Sequence, residues 1–203
     1  MKVLKFSLGE LQANCYFVID GDNCLIIDPA DEASFILEEI QRRKLKLTTL
    51  LTTHGHFDHI MAVGEIQLSF DAPFYIDKED RFLVDRLGET AEYFLGYKPS
   101  TIKPKKIVYS TKGKFKIIKT PGHTPGSVCY YFKKEKVIFT GDTLFKGSIG
   151  RFDFSYSNKK DLANSLIALS KLPETTAVYP GHGEATTIGS EKNNLGEFLN
   201  FLK

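Results

Sequence analysis

Apolar positions along this chain follow two different periods. Short runs rich in Val, Ile, Leu, Phe, Tyr and Cys fall at 3–8, 15–19, 24–27, 48–52, 115–118, 128–132, 137–139 and 177–179. Runs of this length and β-branched or aromatic character predict strands. Elsewhere the spacing becomes helical. Phe35, Ile36, Glu39 and Ile40 follow Asp31, the expected N-cap; Leu162, Leu166 and Leu169 recur at i, i+4, i+7; Leu195, Phe198, Leu199 and Leu202 repeat that stripe behind Ser190. These three stripes predict core-facing helix surfaces. The apolar stretch at 60–63 starts a further helix.

Strands lead and helices interleave, so the predicted class is α/β (or α+β) with helices covering sheet faces. No linker rich in Gly, Ser or Pro interrupts the pattern, and one domain over residues 1–203 is expected. A faint internal echo is visible: the run 24–27 ends at Asp28, and the run from Val137 ends at Gly141-Asp142.

Composition narrows the function classes. A hydrophobic content of 42% with 26% charged residues supports a real core. The net charge of +2 gives no argument for a nucleic-acid or membrane partner. No apolar run approaches the roughly 20 residues of a bilayer crossing. The N-terminus lacks the apolar segment and cleavage site of a signal peptide, so a cytoplasmic location is expected. Cys15, Cys24 and Cys129 lie in apolar stretches without C-x-x-C spacing and read as small buried hydrophobes. Seven lysines and no acidic residue fall between Lys103 and Lys119, a pattern that fits a solvated hairpin. The sharper alternative is a basic rim steering an anionic substrate.

The histidines carry the chemistry. All five sit in three short motifs: Thr53-His54-Gly55-His56-Phe57-Asp58-His59, Pro121-Gly122-His123-Thr124-Pro125-Gly126 and Pro180-Gly181-His182-Gly183. Imidazole is a common ligand for zinc and its neighbours, so metal binding is the simplest common cause. His54 and His56 are two apart just past a strand, which in extended backbone sends both to one side. Asp58 and His59 then fall at a helix start. His123, Asp142 and His182 each follow an apolar strand through Pro-Gly or Thr-Gly. Ligands on stiff turns at strand ends can converge on one edge of a fold.

Together with Gly141-Asp142, these motifs resemble the metallo-β-lactamase superfamily over about residues 14–192. Within it, Gly141-Asp142-Thr143-Leu144-Phe145, the segment from Gly147 to Phe154, and Tyr179-Pro180-Gly181-His182-Gly183 followed by the segment from Thr186 to Lys192 look most like short glyoxalase II-like hydrolases. The resemblance implies an αβ/βα four-layer sandwich of two mixed β-sheets flanked by helices. It also implies two divalent metal ions, zinc first, with iron or manganese as alternatives. His54, His56 and His123 match the ligands of the first ion, Asp58, His59 and His182 those of the second, and Asp142 the bridging carboxylate. Two departures from full-length glyoxalase II stand out. The chain ends at Lys203 with no room for a C-terminal helical extension, and Asp153 stands where glutathione-specific members tend to have an aromatic residue.

The expected activity is hydrolysis of an anionic small-molecule thioester or ester, S-acylglutathione-like, by hydroxide shared between two ions. Asp58 would orient that hydroxide and Arg151 would bind substrate. The alternative is a mononuclear iron persulfide dioxygenase, which shares the Gly-Arg-x-Asp-Phe pattern at 150–154. Less favoured are a lactonase and a non-catalytic metal-binding scaffold; RNA processing is set aside because 203 residues leave no space for an RNA-binding insertion.

Overall fold

The computed structural model describes residues 1–202. The chain forms two compact units, Met1–Thr111 and Lys112–Lys203.

The first unit is built on a six-stranded mixed sheet in the order β1-β2-β3-β4-β5-β6. Its strands are β1 (Lys2–Leu8), β2 (Ala13–Asp20), β3 (Asn23–Ile27), β4 (Lys46–Leu51), β5 (Phe74–Tyr75) and β6 (Ile107–Val108). The first three form an antiparallel meander, and the steps from β3 onward are parallel. A parallel step needs a crossover, supplied between β3 and β4 by α1 (Ala33–Arg42). α2 (Phe57–Ile60), α3 (Val63–Ser69), α4 (Arg81–Asp85) and α5 (Leu87–Leu95) complete the unit. Its core joins Phe17, Ile26, Leu50 and Phe74 from the sheet to Ile36, Ile40, Ile60 and Ile66 from the helices, all fully buried. Burying each such side chain contributes on the order of 1.5–3 kcal/mol.

The second unit repeats this plan. β7 (Lys116–Lys119), β8 (Val128–Phe132) and β9 (Val137–Gly141) form an antiparallel meander. α6 (Lys159–Ser170) crosses over to β12 (Ala177–Pro180), which lies parallel to β9. The five-stranded sheet runs β13-β12-β9-β8-β7, with β13 at Thr186–Thr187; β10 (Leu144–Phe145) and β11 (Ser148–Ile149) form a separate ribbon. Leu162, Leu166 and Leu169 of α6 are fully buried with Cys129, Ile138, Val178 and, from α7 (Lys192–Phe201), Leu195. The expected two mixed sheets with helices are therefore present.

The local deviations have physical causes. Two-residue strands β5, β6, β10, β11 and β13 carry too few positions to show a period, and the sequence pattern missed them. It also missed α4 and α5, where Gly88 interrupts the stripe and Tyr93 is 82% exposed. Asp31 is not the N-cap of α1: that position is Glu32, in left-handed conformation (φ 54°), with Asp31 Oδ1 accepting from the Glu32 N–H at 2.7 Å. α7 begins behind Glu191, not Ser190. The seven lysines between 103 and 119 are all exposed, with Lys116 and Lys119 bracketing Ile117 and Ile118 on the edge strand β7.

Cys15, Cys24 and Cys129 are all fully buried. Burial pushes the Cys24 thiol up to about 12 and raises Cys15 well above its ordinary value. Both thiols thus stay protonated through neutral pH. Maleimide labelling of the native chain near pH 8 should modify none of the three, and denaturant should expose all of them; rapid native labelling would contradict this packing.

Candidate metal centre

In the first unit the site is organised by the register of β3 and β4. Ile27 pairs with Leu51, so Asp28 and Thr52 leave the sheet side by side. Asp28 is 1% exposed and takes φ 53°, a conformation that L side chains rarely adopt. Its carboxylate accepts from the Thr53 N–H (2.6 Å) and the Thr53 hydroxyl (2.8 Å), and the Thr52 hydroxyl, 3.0 Å away, shares its one proton between Asp28 and the His54 carbonyl at 2.6 Å. The His59 Nδ1 lies 3.1 Å from Asp28 Oδ2. A buried carboxylate is tolerated because these donors replace its water.

The same contacts aim the imidazoles. The Thr53 hydroxyl gives its proton to Asp28, so at 3.1 Å it accepts from His54 Nδ1–H. His54 Nε2 is then the lone-pair nitrogen, and it lies 3.1 Å from His56 Nδ1. Gly55 permits this turn: a Cβ there would press on Leu83 and Asp80, and its N–H donates to the fully buried Asp80 carboxylate at 2.8 Å. Asp58 and His59 sit in the first turn of α2, with Asp58 Oδ2 3.7 Å from His59 Nε2.

In the second unit the parallel pairing of β9 and β12 does the equivalent work. A register shift sets Pro180 opposite Gly141, and the Gly181 N–H donates to the Gly141 carbonyl at 2.8 Å. Asp142 and His182 emerge level, with His182 Nε2 3.8 Å from Asp142 Oδ2. His123 Nε2 lies 3.6 Å from the same oxygen. The loop after β7 holds His123 in place. Gly122, at φ 140°, fits where any Cβ would collide with the backbone of Leu162. The Ser157 hydroxyl donates to the His123 carbonyl at 2.7 Å. The Arg151 carbonyl, 2.8 Å from His123 Nδ1, accepts a hydrogen bond from Nδ1–H and leaves Nε2 as the lone-pair nitrogen.

These donor sets fit divalent ions. Two nitrogens bound to one tetrahedral ion at 2.0–2.1 Å stand about 3.3 Å apart, close to the His54–His56 separation of 3.1 Å. Histidine Nδ1 atoms fixed by a hydroxyl, a carboxylate or a carbonyl are the usual support of a metal-ligating imidazole. Nitrogen and carboxylate donors without thiolate suit zinc, iron and manganese.

The sequence reading passed over Asp28 and Asp80 as part of the site. Asp28 had a signal, the strand-then-acid echo with Asp142; Asp80 had none, since only the packing of the 78–85 segment on Gly55 brings it there. Arg151 lies in the loop that supports His123, but its guanidinium is engaged with Asp153, Nε and Nη2 each donating at 2.9 Å.

Comparisons with known proteins identify the family. The model of the metallo-beta-lactamase superfamily matches residues 8–182. A probable metallo-hydrolase of Bacillus subtilis, YqgX, is 37% identical, covering 98% of both chains. A hydroxyacylglutathione hydrolase of Haemophilus influenzae, GloC, is 36% identical over 98% of this chain and 99% of its own. Among solved structures, a di-iron-bound form of TTHA1623 superposes with a TM-score of 0.87 at 36% identity, covering 94% of this chain and 98% of that one.

Replacing Asp28 by Ala should weaken divalent-metal affinity about 10- to 100-fold, measured by competition with a chromogenic chelator. An unchanged affinity in a folded variant would remove Asp28 from the site.

Proposed function

Because the chain belongs to the metallo-β-lactamase superfamily, we propose that it is a binuclear metallohydrolase acting on small-molecule thioesters or esters of the S-acylglutathione type. His54, His56 and His123 would hold one ion, Asp58, His59 and His182 the second, with Asp142 between them. The observation that carries this reading is the orientation of the imidazoles. His54 and His123 each have Nδ1 tied to a neighbouring oxygen and Nε2 turned toward another candidate ligand. Zinc is the first candidate, and the di-iron-bound form of TTHA1623 brings iron level with it.

When bound, such ions lower the pKa of water from about 15.7 to about 7 and polarise a substrate carbonyl. The chain's own groups do the positioning. Asp58, beside His59, would accept a hydrogen bond from the attacking water and hold it in line with the carbonyl carbon. The His182 side chain is 30% exposed against 4% for His123, so substrate would approach from the His182 side. The reading involves neither nucleic acid nor membrane. Among the described residues no helix is long and apolar enough to cross a membrane.

Elemental analysis of the purified chain should find two metal equivalents, and the loaded protein should hydrolyse S-lactoylglutathione. His56→Ala and Asp142→Ala should each lose metal and roughly three orders of magnitude of turnover. One iron per chain with oxygen uptake on glutathione persulfide would replace the hydrolase with a dioxygenase. Full activity in either variant would refute the ligand assignment.

A further inference from the structure

The loop that supports His123 also carries a charge device. Gly150 packs so closely on the Asp142 carbonyl and His123 that any larger residue would collide there, which fixes where Arg151 starts. The Arg151 carbonyl then accepts a hydrogen bond from His123 Nδ1–H. Its side chain turns back over Phe154, with Cζ 4.5 Å from the ring centroid. Phe154 in turn lies edge-on to the His123 ring at 5.8 Å and stacks on Tyr156 at 5.4 Å. The guanidinium thus sits over the ring that packs against a proposed metal ligand, its side chain still 61% exposed.

Arginine offers a carboxylate two edges, and the side-on edge (Nε with Nη2) is taken. Asp153 occupies it bidentately, at 2.9 Å for both bonds. We propose that Asp153 is a specificity-determining residue: it cancels the Arg151 charge beside His123, so that the carboxylates of a glutathione-type thioester gain less from Arg151 and carboxylate-free thioesters are accepted alongside it. Arg151 remains the group that meets substrate, and Asp153 decides which substrates gain from it. An anion arriving at the end-on edge meets a fork already neutralised, with a second carboxylate on its flank. A neutral thioester loses nothing by the pairing. The pair is mutual: the Arg151 hydrogen bonds hold the Asp153 carboxyl below its ordinary range, so it stays ionised at neutral pH.

The inference rests on the hydrolase reading, and the test separates the two. Full-length, metal-loaded wild type, Asp153→Asn, Arg151→Met and the double variant are compared on two thioesters of one acyl group. One is built on glutathione and the other on N-acetylcysteamine, which has no carboxylate. Asp153→Asn keeps the side-chain shape and removes the charge. It should lower KM for the glutathione thioester about threefold to fivefold with kcat unchanged, and leave the neutral thioester unaffected. That gain should vanish in the double variant and in about 0.5 M salt. A KM that rises or stays fixed, or an equal shift for both thioesters, overturns the proposal. Calorimetric binding of glutathione to the same four proteins gives a readout without turnover. Tighter, Arg151-dependent binding by Asp153→Asn sustains the proposal even if no thioester is hydrolysed and the hydrolase reading falls. Metal content and thermal unfolding of each variant show that loading and folding are intact.

Discussion

The Asp28 carboxylate is the fixed point around which the histidine cluster of the first unit is arranged. A carboxyl group 1% exposed is costly to bury, and it is tolerated because the Thr53 N–H and hydroxyl donate to it, with the Thr52 hydroxyl and the His59 ring beside it. Thr53 satisfies Asp28 and sets the His54 tautomer, and His59 Nδ1 lies 3.1 Å from the same carboxylate.

The second unit reaches the same end by the same topology with different local chemistry. An antiparallel meander, a helical crossover and a parallel strand recur as β1-β2-β3-α1-β4 and as β7-β8-β9-α6-β12. In both, parallel pairing places an aspartate level with a histidine motif on the next strand. In the first unit that aspartate is a buried support. In the second, Asp142 faces His123 and His182 and is the proposed bridging ligand. The support role passes there to backbone groups, the Arg151 and Gly141 carbonyls.

Most of this was legible in the sequence where a period or a spacing carried it. The strand at 24–27 is Asn23–Ile27, and the leucines at 162, 166 and 169 line the buried face of α6. The turns that carry the candidate ligands were readable because His, Asp, Gly and Pro cluster at strand ends. What escaped depends on tertiary placement. Asp80 lies 25 residues beyond Gly55 and meets it only through packing of the segment after β5. The Asp153–Arg151 pair was foreseen as two residues of a motif, while its bidentate geometry over Phe154 has no sequence signature. Cap positions also escaped, because a left-handed Glu32 displaced the expected Asp31.

The stack of His123, Phe154 and Tyr156 has a spectroscopic consequence. The chain contains no tryptophan. An indole substituted at Phe154 would be its sole long-wavelength fluorophore, set edge-on to one imidazole and under one guanidinium. Its emission would report, residue by residue and in real time, any event that turns that imidazole or lifts that guanidinium.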